Sequence, residues 1–384
     1  MNNKLIYFDN AATGYPKPHS VRREAMRAFE ECGGNPGRSG HILSVNSAKA
    51  VFECREKVCS LINYDRPERV IFSLNATHAL NIAIKGLAEP KSGIVISSLE
   101  HNSVYRPVYA LCDKNKDMHF DIFDASQKSD EAVAENFRKA IRADTKVAVI
   151  TVASNICGRI LPVKEISEIC RQNGIKLILD ASQAMGEIPF DFSEIKPSVL
   201  CSAGHKGLYG PCGTGFAVFS EDINPEPIIE GGNGLVSELP TMGEELPEKL
   251  EAGTVNTPGI LGLGAGIDFV RSLGVESIRK KCSQICDFLT AELKSCGAII
   301  YGDYESKTPI ILFNIPGMSP SALSSRLDTA GICTRSGIHC SPLGHKALKT
   351  GSDGAVRVSL GYANTQREAE IFISEMRKII RNGI

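Results

Sequence analysis

The 384-residue sequence predicts an α/β protein, with a large domain built on a mostly parallel sheet between helices and a smaller α+β domain after it. Three observations predict this. From about Arg69 to Phe219, short β-branched runs alternate with longer segments of helical period. Those runs are continuously apolar, as strands covered on both faces are. After about Leu261 the texture changes to long helical segments interspersed with a few strands.

The chain opens on "LIYFDNAATGYPKP", an extended segment expected to join the smaller domain, before a helix starting near His19. In the next helical stretch Ala48, Val51, Phe52, Cys59 and Ile62 fall on one apolar face, which reads Cys59 as core. Six strands follow: "RVIF", "GIVISS", "KVAVITV", "KLILD", "SVLCS" and "GFAVF". Between them helices are expected to begin near Thr77, His101, Ser129 and Val163. The C-terminal part reads as helix through "IDFVRSLG" and "CSQICDFLTAELKSCG", strands "AIIYG" and "PIILFNI", another helix, and strand "GAVRVSLG". Thr365 and Glu368 form a capping box for a final helix with Ala369, Phe372, Ile373, Met376 and Ile380 on one face. Arg377, Lys378 and Arg381 lie at its C-terminal end, where the helix dipole favours cations. The expected division is 17–260 for the large domain and 261–384, with 1–16 packed on it, for the small one.

The formal net charge is -1 and no basic block stands out, which argues against nucleic acid or an anionic membrane as the main partner. No apolar run is long enough to cross a bilayer, and the N-terminus lacks the pattern of a signal peptide, so a cytoplasmic protein is expected. The 13 cysteines follow no regular spacing, as buried thiols of a reducing compartment do.

Ligands of an open parallel sheet bind beyond the carboxyl ends of its strands. At those ends the sequence places Glu100 and His101, Ser154 and Asn155, Asp180 with Gln183, and Ala203 through Lys206. Asn75 and Thr77 follow "RVIF" at a helix N-terminus, a place where phosphates bind. Taken singly, Asp180 and Thr77 also read as helix caps and Lys206 as a solvated side chain. Their convergence on one edge favours a site.

In "SAGHKGLYGPCGTG" the lysine precedes most of the glycines, so the segment does not fit G-x-x-x-x-G-K-[ST]. "GLGAG", residues 262–266, lacks the preceding strand of a dinucleotide fingerprint. Lysine, carboxylate, stacking imidazole and phosphate cradle together suit pyridoxal phosphate, where lysine forms a Schiff base and the carboxylate keeps the ring nitrogen protonated.

Eight segments in order, "YFDNAATGYPKP", "LEHNSVYRP", "ASNICGRILPV", "DASQAMG", "AGHKGLYGPCGTG", "EAGTVNTPG", "RSGIHC" and "VRVSLGYANT", resemble the class V aminotransferase family of fold-type I pyridoxal phosphate enzymes. More narrowly, they resemble its cysteine desulfurase and selenocysteine lyase branch. The resemblance implies a large domain with a sheet of the seven-stranded type. It implies Lys206 as the cofactor anchor, Asp180 on the pyridine nitrogen, Gln183 on the phenolic oxygen and His101 stacked on the ring. Thr77, the Ala76 amide and His205 are expected to hold the phosphate. Thr254 is expected to reach the phosphate from a partner subunit, implying a homodimer. Asn155 is expected beside both cofactor and substrate, Ala12 beside the substrate, and Arg357 on its carboxylate. Two positions depart from the family: Ala203 replaces a common serine or threonine, with Ser202 adjacent, and Asn75 replaces a common glycine.

"ICTRSGIHCSPLGHKAL" carries Cys333, His339, Cys340 and His345, which could suggest zinc, a disulfide, a reactive thiol or a buried cysteine. The ligand spacing of a zinc knuckle is missing. The resemblance implies Cys340 as the persulfide-forming nucleophile, with Arg335 and His339 as local cations, Cys333 in the core and His345 without a role. It further implies free L-cysteine or L-selenocysteine as substrate and a sulfur-acceptor protein as partner. A selenocysteine lyase, an aminotransferase, and a non-catalytic scaffold or sulfur carrier are the alternative functions.

Overall fold

A computed structural model describes residues 5–37, 39–233 and 238–382. The strands are β1 (Ile6–Tyr7), β2 (Val70–Ser73), β3 (Gly93–Ser97), β4 (His119–Phe123), β5 (Thr145–Thr151), β6 (Lys176–Asp180) and β7 (Val199–Ala203). They continue with β8 (Gly215–Phe219), β9 (Ile299–Tyr301), β10 (Ile310–Asn314), β11 (Ile332–Cys333), β12 (Arg335–Gly337) and β13 (Ala355–Ser359). The helices are α1 (His19–Glu31), α2 (Ile42–Ile62), α3 (Ala76–Leu87), α4 (Asn102–Lys114), α5 (Asp130–Ala140) and α6 (Val163–Gln172). After them come α7 (Phe192–Ile195), α8 (Thr257–Leu273), α9 (Val275–Ser295), α10 (Pro320–Thr329), α11 (Pro342–Leu348) and α12 (Gln366–Arg381).

A seven-stranded sheet runs in the order β2-β8-β7-β6-β5-β3-β4. Only β8 opposes its neighbours, pairing antiparallel with both β7 and β2. The continuous apolar runs have a direct cause. Ala148, Ile150, Leu177 and Leu179 point into one core with α2, α5, α6 and α8. The intervening Val147, Val149 and Ile178 point into a second core with α3 and α4. Each strand residue is therefore buried whichever face it takes.

Helix starts follow their caps. Asn75, His101 and Ser129 accept from the backbone N–H groups of His78, Ser103 and Ala132. The Thr365–Glu368 capping box forms at α12. "GLGAG" lies inside α8, and its glycines serve packing: a β-carbon at Gly262 would meet Pro211 Cγ at 2.6 Å, and one at Gly266 would collide with the Leu208 carbonyl. This lets α8 lie directly against the loop that carries Lys206.

The C-terminal strands form a separate antiparallel sheet, β12-β13-β10-β9. Ile311, Phe313, Val356 and Val358 pack from it against α9 and α12. The N-terminal segment crosses to this side, with β1 pairing parallel to β11 and Phe8 packing edge-on to Phe372.

Two sequence expectations fail here. Phe52, assigned to the buried face of α2, is 46% exposed beside a surface hollow, because α2 presents the Val51, Cys54 and Val58 stripe inward instead. Cys333, assigned to the core, is only partly buried, since β11 pairs with β1 alone. Strand β4 escaped reading because it is an edge strand with Ile122 42% exposed, which breaks the apolar run.

Candidate active site

Strands β5 and β6 end level with one another, Thr151 opposite Asp180, and β7 runs on two residues past Cys201, which lies opposite Asp180. Their loops open on a cavity of about 730 Å³. Its lining includes Ala12, Ala76, Thr77, His101, Asn155, Asp180, Gln183, His205, Lys206 and Arg357. Residues separated by up to 345 positions thus meet at one strand edge.

The β2–α3 turn supplies one wall. Asn75 has φ -176, an extended backbone open to any residue, so the glycine common at this position is dispensable. Its side chain caps α3 instead, worth about 1 kcal/mol. Thr77 Oγ1 lies 2.7 Å from Ser103 Oγ, which lies 2.8 Å from His101 Nδ1. That nitrogen also accepts the Ser103 backbone N–H at 3.0 Å, so the ring proton sits on Nε2. Ser103 donates to His101 and accepts from Thr77, locking the imidazole at the helix start.

Asp180 Oδ1 accepts the Ser182 N–H at 3.0 Å. Gln183 Nε2 donates to the Ala11 carbonyl at 2.9 Å, tying the N-terminal segment to the cavity floor. Burial pushes the Lys206 amine down to about 8, with Asp180 acting against the shift and Arg357 with it. Burial and the neighbouring Lys206 also hold His101 at about 4, so its ring is neutral. His205 is held at about 4 by burial. An uncharged ring wall beside an amine of lowered pKa and a carboxylate suits a planar carbonyl cofactor.

The Ala203 departure has a structural counterpart. Ser202 points away and donates to the backbone carbonyls of Ala181 and Ala203 at 3.5 and 3.4 Å. Ser182, not singled out in the sequence, lines the cavity with a buried hydroxyl that has no partner among the described residues. Its position two residues after Asp180 was the available signal.

Arg357 is 1% exposed and ion-paired to Asp9 at 2.7 Å. It donates to the Asn155 carbonyl at 2.9 Å, while its Nε has no partner. Arg335 lines the same cavity, so two guanidinium groups face it.

Cys340 sits at the rim rather than in the lining. It is exposed, and Arg335 Nη2 lies 3.9 Å from its Sγ. Its side chain is close enough to act on Lys206, in the direction opposite to burial. His339 and Cys340 both adopt left-handed backbone, with φ 51 and 56. Each such non-glycine residue costs about 1–2 kcal/mol. Three bonds to neighbouring elements hold the turn: Asn102 N–H to the Cys340 carbonyl at 2.7 Å, Asn155 Nδ2 to the His339 carbonyl at 2.9 Å, and Ser341 Oγ to the Glu100 carbonyl at 2.9 Å. The expectation that His339 is a cation fails: burial pushes it down to about 3, assisted by Arg357. Arg335 alone is the charged neighbour on this loop. Cys333 and Cys340 are both free thiols, and among the described residues no three His, Cys, Asp or Glu side chains are grouped to hold a metal.

Thr254 lies outside the cavity, exposed, accepting from Asn35 Nδ2 at 3.1 Å.

A strand-edge cavity with a lysine of lowered pKa, a carboxylate and an imidazole wall defines an enzyme of the aminotransferase type. The class V aminotransferase model matches residues 6–372, and the chain belongs to that family. Within it, the chain is 35% identical to a probable cysteine desulfurase of Methanothermobacter thermautotrophicus, over 98% of this chain and 95% of that protein. It is 31% identical to a probable cysteine desulfurase of Synechocystis, over 98% of this chain and 91% of that protein. The apo structure of a cysteine desulfurase from Thermococcus onnurineus superposes with a TM-score of 0.90 at 28% identity, over 99% of this chain and 96% of that one.

Proposed function

We propose that the protein is a pyridoxal-phosphate-dependent cysteine desulfurase, converting L-cysteine to L-alanine with the sulfur carried on Cys340 as a persulfide. One observation carries this reading: an exposed thiol beside Arg335 stands on a turn whose carbonyls are held by Asn155 of the cavity wall and by Asn102 at the start of α4. The family and its named relatives support it.

The cavity suits the cofactor of class V enzymes. The unpartnered Ser182 hydroxyl and the α3 N-terminus offer donors to a phosphate, with Thr77, the Ala76 amide and His205 alongside. Ser182 takes the place of the hydroxyl missing at Ala203. Asp180 would pair with the pyridine nitrogen, Gln183 would hold the phenolic oxygen, and neutral His101 would cover the ring. When bound, pyridoxal phosphate supplies an electron sink beside the substrate Cα.

The chain's own residues do the rest. Arg357 and Arg335 hold the substrate carboxylate, with Asn155 and Ala12 bordering it. Lys206, near pKa 8, is free-base in a usable fraction at neutral pH and removes the Cα proton. Cys340, as the thiolate beside the Arg335 guanidinium, attacks the substrate sulfur. An S–S bond forms as the substrate C–S bond breaks, the electron pair left on Cβ takes up a proton, and Cα regains the proton that Lys206 removed, giving alanine and a persulfide on Cys340. The outer sulfur then passes to an acceptor protein or a small thiol.

We further read the enzyme as a cytoplasmic homodimer. Thr254 is exposed for a partner's phosphate site, and Met26, Phe29 and Ile42 nearby in sequence on α1 and α2 are 59%, 68% and 69% exposed. Residues 17–260 would form the cofactor unit, and 261–384 with 1–16 the unit bearing the thiol. Among the described residues no helix is long and apolar enough to cross a membrane.

The test is Cys340→Ala. It should keep the cofactor absorbance and lose alanine release from cysteine by about two orders of magnitude or more. Full retention of alanine release would remove Cys340 from the mechanism.

A further inference from the structure

Two buried polar side chains take no part in these steps: His345, 3% exposed on α11, and Thr350, 7% exposed just after it. Their hydrogen bonds run as one chain toward the thiol. His339 Nε2 lies 3.1 Å from the Arg335 carbonyl oxygen, which can only accept, so Nε2 carries the ring proton. Burial holds both imidazoles uncharged, His339 at about 3 and His345 at about 4. His339 Nδ1 is therefore an acceptor, and His345 Nε2 donates to it at 3.2 Å. His345 Nδ1 is then bare and accepts from Thr350 Oγ1 at 2.7 Å. One tautomer for each ring satisfies every bond, and the rings lie within 11° of parallel.

The far end of the chain touches the thiol's surroundings. Arg335 contributes both the terminal carbonyl and the guanidinium 3.9 Å from Cys340 Sγ. His339 precedes Cys340 in the left-handed turn, with its ring held at both nitrogens and its carbonyl held by Asn155. Helix α11 is fastened to the same turn, the His345 N–H donating to the Ser341 carbonyl at 3.1 Å. A histidine pair buried only for packing would need neither a defined tautomer order nor an end on Arg335.

We propose that His345 and Thr350 are positioning residues for Cys340, fixing the His339–Cys340 turn and the Arg335 guanidinium through the His339 ring. The proposal rests on Cys340 being the nucleophile.

The experiment compares cofactor-loaded His345→Leu, His345→Gln and Thr350→Val with the unchanged enzyme. It reads kcat and KM for alanine release from cysteine, and the rate of Cys340 alkylation by iodoacetamide. His345→Leu should lower kcat about tenfold, as loss of a buried hydrogen bond does, and slow alkylation, with a smaller rise in KM through Arg335 and cofactor absorbance unchanged. Thr350→Val should move both in the same direction by less. His345→Gln, whose amide can donate to His339 and accept from Thr350, should recover most of the loss. If His345→Leu does not fold, Thr350→Val and His345→Gln carry the test. Unchanged kcat and alkylation in the folded variants overturn the proposal, as does a fall in melting temperature alone. Full alanine release by Cys340→Ala would instead show that the nucleophile reading has failed, whatever the His345 variants do.

Discussion

Asp180 ends a central strand of the seven-stranded sheet, whereas Cys340 lies three residues beyond β12, the edge strand of the smaller sheet. The first is positioned by ladder hydrogen bonds on both sides, and its backbone is regular. The second is positioned by side chains from other elements and holds two left-handed residues. The cavity wall is rigid because the sheet is, while the thiol turn is rigid only while its ties persist. A sheet edge has little freedom to lose; a strained turn has other conformations available once released.

The largest effect should come from the wall itself. Lys206→Ala is expected to abolish the absorbance of bound cofactor and reduce alanine release to background, read by spectrum and by turnover. Next, Asp180→Asn should keep the fold and lower kcat by about 10–100-fold, the worth of one charge-assisted hydrogen bond. Near-normal activity in that variant would break the picture of a carboxylate-tuned ring.

Loading of apoprotein should depend on pH through the Lys206 amine. Below about 8 the amine is mainly protonated and cannot attack a carbonyl; above it the free base dominates. The rate of cofactor uptake, followed by absorbance, should therefore rise through pH 8 and level off above it. A midpoint near the ordinary lysine value of 10.5 would show that burial does not act on this amine.

The smallest effects belong to the thiol turn. Ser341→Ala removes one tie to Glu100 and should cost about 1 kcal/mol of local stability, seen as faster hydrogen exchange across 338–341 with the cofactor spectrum unchanged. An equal loosening at 180–183 would mean that the two regions are not independent.

Legibility followed the same division. The strand ends, the helix starts at Asn75, His101 and Ser129, and the capping box at Thr365 were readable because apolar period and caps are local properties. Edge strand β4 was unreadable, its half-exposed residues lacking the apolar run that marked the others. Ser182 and Ser103 were overlooked, as serines are common near strand and helix ends and only the cavity distinguishes them.

Composition and order within the chain determined the α/β class, the strand edge on which the polar residues gather, and the lysine, carboxylate and imidazole chosen for it. Tertiary structure alone decided that His339 is neutral, that Ser202 faces away while Ser182 faces in, and that His345 connects to the thiol turn. Those outcomes depend on burial and on partners up to hundreds of residues away. No local pattern encodes the desolvation that sets a charge or the direction in which a hydroxyl finds its acceptor.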